Sequence, residues 1–520
     1  MKKYIYYICL AAMGMLAQPL LTSCTLERED YTEISEDNFP KTENDLKLAV
    51  NALMYEFCTG YWSGEAIYAP DHTGYQMLSD MTTDCMWTSW GWEWDELRYH
   101  QFGNETSGKI HNARYYAFAH YQFLSKARNT IRRIEKSSVS ESAKTRYAAE
   151  AHCLRGWMAL YLFDLFGTVP VATDEQLDEP TTYNYLSRLT QDEYDQMMEN
   201  DLRTAIDGLP TTADRGRVTK GAAMMILLKY YMIRGKETPE YWKKAETLAR
   251  ELYAMENSVY NLLQDYDKVF AIDNAGNSEI ILCVGCNSSA SWTSNYMTAE
   301  ALPSDMAWTT NSSGWGGYVM PWDFYNTFEQ GDKRTNCIVT QYTNTSGKLM
   351  TKGNSSQLSY GPIPLKYGKD PDMAGSQAGN DLVVYRYSDV LLTLAECIVR
   401  NGGSFAKGSE AVKLVNRVRN RAGLSDLSDD ACASQEAFLD ALLLERGHEF
   451  FEEGLRRQDL IRFGKYIDYA NDRIRQAQKD GKEYNLLTND AHNLFAIPQS
   501  FIDESKSAIK QNPGYQTHIT

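Results

Sequence analysis

Apolar positions recur at helical spacing along most of this chain. Leu46, Ala49, Val50, Leu53, Met54 and Phe57 follow a capping-type start at Thr42-Glu43-Asn44-Asp45, which predicts a core-facing helix. The same period predicts helices over about 110–135, 142–166, 192–207, 220–233 and 241–253, with Thr190 and Glu193 forming a capping box ahead of the third. In the C-terminal half it predicts helices over 387–400 and 409–422, the latter with Arg419 and Arg421 in its last turn and Gly423 beyond, then a long helical region over 435–463.

Helices fall in adjacent pairs with small residues at the crossings: Gly221, Ala222, Ala245 and Ala249, then Ala395 and Ala411. This resembles degenerate tetratricopeptide units without a strict period. Between the two helical blocks the pattern changes. Residues 257–381 are rich in Gly, Ser, Asn and Thr, with strand candidates at 279–284, 338–342 and 382–385. The predicted fold is mainly α: a tetratricopeptide-like helix-pair scaffold with a loop-rich insert containing short β-strands. Residues 41–520 read as a single domain, and a long irregular insert within it points to function.

The N-terminus has its own pattern. Lys2 and Lys3 precede an apolar stretch, 5–16, that Gln18 and Pro19 interrupt well short of a membrane span, and Leu21-Thr22-Ser23-Cys24 closes it. That is the pattern of a bacterial lipoprotein leader, with residues 1–23 as signal peptide, Cys24 as lipidation site and 24–40 as tether. Two or more acyl chains, at about 0.8 kcal/mol per buried methylene, would anchor the protein to a membrane durably. Acidic Glu27, Glu29 and Asp30 just after Cys24 favour export to the cell surface.

Composition then excludes classes. The 520 residues are 43% hydrophobic and 23% charged, suiting a globular body, and the net charge of -17 makes nucleic acid a poor partner. Cys9 and Cys24 aside, the cysteines are scattered rather than arranged as a disulfide framework. Cys283 and Cys286 form one CxxC on a strand-like stretch, without a second pair to complete a zinc site. No metal, cofactor or catalytic set is read.

Eight of the 11 tryptophans occupy two windows: Trp87, Trp90, Trp92 and Trp94 in WTSWGWEW, and Trp292, Trp308, Trp315 and Trp322 in the insert. An extended 90–94 would put Trp90, Trp92 and Trp94 on one face. Indoles are flat apolar platforms on which the C–H faces of pyranose rings lie, while nearby amides and carboxylates bond the hydroxyls. The candidate glycan-binding residues are Trp87, Trp90, Trp92, Asp95, Trp292, Asn295, Tyr296, Trp308 and Trp315. Asp80, Asp84, Glu93, Asp305 and Asn311 are further polar candidates, and Gly314, Gly316 and Gly317 would allow a ligand close approach. Trp94 and Trp322 are expected in the core, with Trp157 and Trp242.

Several blocks resemble, in order, the SusD/RagB outer-membrane lipoproteins of polysaccharide-utilisation systems. They are AEAHCLRGWMALYLFDLFGTVPV (149–171), RVTKGAAMMILLKYY (217–231), NSEIIL (277–282), YRYSDVLLTLAECIVRNGG (385–403), VNRVRNRAGL (415–424) and ERGHEFFEEGLRRQDLIRFGK (445–465). IPQSFID (497–503) and QNPGY (511–515) close the chain. The resemblance implies a helical scaffold with a loop-rich ligand face, and partnership with a SusC-type TonB-dependent transporter. It implies binding and import, not bond cleavage. In the 445–465 block, Glu445 with Glu449, Glu452 with Arg456 and Arg456 with Asp459 would line one helix side and orient packed helices.

Three other readings stay open. A glycosidase would need two carboxylates, for which Glu93 and Asp95 are the suspects. His448-Glu449 lacks the second histidine of HExxH, and neither a phosphate loop nor a GxSxG elbow occurs. Peptide capture for uptake, or a helical-repeat adaptor that binds only protein, would also use this scaffold.

Overall fold

The computed structural model describes residues 39–59, 66–68, 74–91, 94–102, 109–179, 185–290, 293–487 and 490–515. The leader, Cys24, most of the tether, Trp92, Glu93 and Trp292 lie outside the described residues.

Helix α1 (Glu43–Met54) starts as its sequence predicts: the Thr42 hydroxyl accepts from the Asp45 N–H, and the Asp45 carboxylate accepts from the Thr42 N–H. It buries Leu46, Val50 and Leu53. The predicted 110–135 helix is two, Lys109–Ala119 and α2 (Tyr121–Lys136), stepping at His120, whose ring Nδ1 donates to the Tyr116 carbonyl at 2.8 Å. Helix α3 (Glu141–Phe166) is the central element. It is buried on every side from Ala149 to Phe166 except at His152, as expected of a helix covered by α1, α2 and the two that follow. Those are α4 (Gln191–Gly208) and α5 (Lys220–Gly235), with α6 (Glu240–Tyr253) pairing onto α5.

The C-terminal block repeats the pairing. The strand Leu382–Arg386 leads directly into α7 (Tyr387–Arg400), which packs on both α6 and α8 (Glu410–Arg421). Ala222, Ala245, Ala249, Ala395 and Ala411 are fully buried where these helices cross. Strands β1 (Trp87–Thr88), β2 (Ile280–Val284), β3 (Tyr318–Val319) and β4 (Leu382–Arg386) form two antiparallel pairs, β1 with β3 and β2 with β4, which tie the insert to its flanking segments. The expected 338–342 strand is two short pieces, Ile338–Val339 and Tyr342–Thr343, each pairing elsewhere. One contiguous apolar core runs from Leu46 to Ile509. Among the described residues no helix is long and apolar enough to cross a membrane.

The 435–463 region departs most from expectation. It breaks into α9 (Gln435–Phe450) and α10 (Arg456–Arg462), with Glu452 at φ 66° and Gly454 at φ 77° between them. The backbone groups freed at the break have partners from distant segments. Lys366 Nζ donates to the carbonyls of Glu449 (3.1 Å) and Phe451 (2.6 Å), and the Asp80 carboxylate accepts from the N–H of Gly454 (2.8 Å) and Arg456 (3.4 Å). A chain so satisfied has no need to continue as helix. α11 (Tyr466–Lys479) follows.

The charges of this block do not line one helix side either. They are buried and paired across elements. Glu449 receives Arg334, Arg386 and Arg421; Arg446 bridges Asp389 (2.9 Å) and Asp459 (2.8 Å); Arg462 bridges Glu396 and Asp459; Arg456 holds Asp84 at 2.7 Å. Burial alone would raise the Glu449 carboxyl, but the three guanidinium groups outweigh it and hold it far below the usual range. His448 stacks on Phe328 at 4.0 Å, and burial beside Arg334, Arg456 and Arg419 keeps it neutral.

Candidate functional site

The two tryptophan windows, far apart in sequence, meet through β1 and β3. Trp87 pairs with Val319 and Thr88 with Tyr318, and the Ser89 N–H continues the ladder to the Gly317 carbonyl at 2.7 Å. The next residue, Trp90, lays its ring on Gly317: a Cβ there would stand 2.3 Å from the indole. Gly317 thus makes room for a tryptophan, not for a ligand as its sequence context suggests. Gly314 likewise accommodates the Leu302 carbonyl.

Trp90 also contacts Trp94 (5.0 Å between centroids) and Tyr318 (6.0 Å). Trp94 does not continue an extended strand: it has helical backbone angles and opens the turn Asp95–Arg98. The expected extended run therefore does not include Trp94, although the Trp90 and Trp94 rings do meet. Trp94 is buried, as its sequence context predicts, whereas Trp322 is only half-buried, its indole N–H donating to the Leu358 carbonyl.

On the far side of the glycine loop, the short helix Met297–Ala301 supports the second window. Its Ala299 and Glu300 carbonyls accept from the N–H of Trp315 (2.7 Å) and Gly317 (2.8 Å). The Trp315 ring stacks on Tyr296 at 5.7 Å and 21°. Trp308 and Trp315 both pack, half-buried, on a small cluster of Ala299, Met373 and Ala378. Lys369 Nζ sits 4.7 Å from the centre of the Trp308 ring, a contact with no signal in the sequence because the residues are far apart along it. The Trp308 Nε1 and Thr309 Oγ1 atoms are shielded from solvent without a hydrogen-bond partner among the described residues.

The remaining candidates have structural employment. Trp87 lies under two guanidinium groups, Arg98 at 5.5 Å and Arg473 at 5.1 Å, and its Nε1 donates to the Thr83 carbonyl and the Tyr469 hydroxyl. Asp95 pairs with Arg98 one turn on. Asn295 is 1% exposed, with its amide donating to the Asn380 carbonyl and accepting from the Met297 N–H. It holds the ledge under Tyr296 and is not open to a ligand. Asp80 and Asp84 tie the first window to the α9–α10 break, and Asp305 anchors Tyr342 and Asn344. Asn311 is exposed, its carbonyl accepting from the Gly375 N–H.

Cys283 and Cys286 are free thiols pushed up to about 12 by burial. The Cys286 N–H donates to Asp381, which Arg215 clamps, so the CVGC stretch is the fastened exit of β2.

The arrangement is a set of half-buried indoles, Trp90, Trp308 and Trp315, on short, well-fastened elements; Tyr296, 3% exposed, is buried beside Trp315 and, against expectation, is not open to a ligand. Comparison with known proteins bears on what such a set serves. Residues 340–515 match the family model described as "SusD family", and residues 30–232 match one described as "Starch-binding associating with outer membrane". The chain belongs to the SusD/RagB family. It is similar to a SusD-like protein of Bacteroides ovatus, 29% identical over 392 residues covering 69% of this chain and 68% of that one. The starch-binding protein SusD of Bacteroides thetaiotaomicron is 23% identical over 442 residues, covering 74% and 75%. In structure the SusD/RagB fold is clear: a laminarin-binding SusD-like protein superposes with a TM-score of 0.70 at 21% identity, covering 91% of this chain and 100% of that one.

Proposed function

We propose that this protein binds a glycan at the outer-membrane surface, anchored through lipid on Cys24, and passes it uncleaved to a SusC-like TonB-dependent transporter. The observation that carries the reading is the joining of the two tryptophan windows by β1 and β3, which brings half-buried Trp90 and Trp315 close to one glycine loop. Trp90, Trp308 and Trp315 are the proposed contact residues, with Tyr296 buried beside Trp315 as their support. Relatives named for starch and laminarin binding support a saccharide ligand. Binding without cleavage is favoured by the engagement of Asp95, one of the two suspected carboxylates, with Arg98.

The test is affinity electrophoresis of the protein through gels containing a panel of polysaccharides. At least one should retard it, and Trp315→Ala and Trp90→Ala should abolish retardation while remaining folded. Trp87→Ala should keep it, because the Trp87 ring is already engaged by Arg98 and Arg473. No retardation by any polysaccharide, with binding to peptides or only to the transporter, would replace this reading. Sustained release of reducing sugar would make the protein an enzyme.

A further inference from the structure

The CxxC of the insert, Cys283-Val284-Gly285-Cys286, forms one wall of a cavity of about 530 Å3 between the end of α1 and the exit of β2. Among the described residues no group of His, Cys, Asp and Glu is placed to hold a metal, and these cysteines are free. Their contribution is apolar. Burial keeps the thiols of Cys58, Cys283 and Cys286 protonated, the last two pushed up to about 12, so each behaves as a small hydrophobe. Met54, Val218 and Leu282 continue the wall, and Trp157, stacked on Phe57 at 4.2 Å, adds an indole. Two glycines keep the space open: a Cβ on Gly285 would meet nothing closer than 3.9 Å, and one on Gly216 nothing within 4 Å.

Four charged side chains also line the cavity, and they cancel. Arg215 is clamped by Asp381 and the Cys286 carbonyl, and Arg217 by Glu150 and Asn51. Lys47 and Asp214, both exposed, are left without an ion-pair partner among the described residues, one of each sign. A ligand of either charge would therefore be drawn to one and repelled by the other, whereas apolar surface gains by leaving water. We propose that the cavity is a second binding site, for a neutral, largely apolar small molecule. Its volume falls in the range of about 300–1,000 Å3 typical of such sites, with few polar groups among apolar walls. The clamped Arg215 guanidinium supplies orientation: its Nη1 has no hydrogen-bond partner among the described residues and can donate to a carbonyl or hydroxyl of the ligand. The inference is independent of the glycan reading, since Trp90, Trp308 and Trp315 do not line this cavity.

Phenylnaphthylamine, a neutral apolar dye that brightens on leaving water, tests this in the full chain. Its fluorescence should rise saturably. Gly285→Leu, whose Cβ fits without collision and whose side chain fills the space, should weaken binding about tenfold or more while thermal melting and any polysaccharide retardation stay as in the wild type. In the unmodified chain, saturating dye should slow alkylation of Cys283 by N-ethylmaleimide, read peptide by peptide, and leave Cys432, outside the cavity, unchanged. That second reading needs no variant to fold. No saturable rise would overturn the proposal. So would a rise that survives Gly285→Leu and leaves Cys283 unprotected, which would put the dye elsewhere on the surface. Tighter binding of the anionic dye anilinonaphthalene sulfonate, lost in Lys47→Ala, would equally overturn it and give the cavity to anions.

Discussion

Gly317 shows how much rests on a missing side chain. Its position lets Trp90 lie flat against the β3 end of the loop, and any Cβ would collide with the indole. Gly317→Ala should cost about 1–3 kcal/mol as an overpacking change. It should also weaken glycan retardation at least tenfold by displacing Trp90, while far-UV circular dichroism stays unchanged. A thermal melt beside the affinity gel checks both parts. The same residue marks what sequence reading caught and missed. Glycines flanking Trp315 signalled a close approach, and one exists, but the approaching group is another tryptophan. Asn295 failed as a ligand candidate for a related reason. An asparagine looks alike in sequence whether its amide faces solvent or fastens two loops, and here it does the latter.

At the scale of elements, the decisive piece is the break between α9 and α10. Helical periodicity runs through 435–463 almost uninterrupted, with only Gly454 as a local sign, and the competing hydrogen bonds come from Asp80 and Lys366. Asp80 is also where pH enters. Burial pushes its carboxyl up to about 7, against hydrogen bonds from Gly454 and Arg456, while in the unfolded chain it titrates at its ordinary value of 3.8. Between these values the native chain keeps a proton that the unfolded chain releases. Stability therefore falls as pH rises from about 4 to 7, with a slope from this group approaching about 1.4 kcal/mol per pH unit. Asp80→Asn keeps an acceptor for the Gly454 N–H but has no proton to lose. Urea midpoints across pH 4 to 8 should decline for the wild type relative to this variant. Parallel curves would show that Asp80 titrates normally.

For the whole molecule, stability depends on charges that the sequence presents as an ordinary surface. Glu449 is fully buried and accepts from three arginines on separate elements: Arg334 in the insert, Arg386 at the end of β4 and Arg421 at the end of α8. Removing it leaves buried guanidinium groups short of a counter-charge, so Glu449→Ala should lose about 3–5 kcal/mol, read as a shift of the urea midpoint. An i,i+4 ladder on a solvated helix would have lost only a few tenths.

The sequence by itself determined the helices, their caps and the change of texture in the insert. Those features arise from local periodicity, and the packed structure agrees with the helices from Glu43–Met54 through Glu410–Arg421 except for the step at His120. Ordered blocks also marked the family. Only the tertiary structure decided which tryptophans meet, which charges are buried and where the last long helix stops. Each of those outcomes depends on a partner tens to hundreds of residues away: Trp90 on Gly317, Glu449 on Arg334, Gly454 on Asp80. A polar or aromatic side chain states what bonds it can make, and the fold alone supplies the group that takes them.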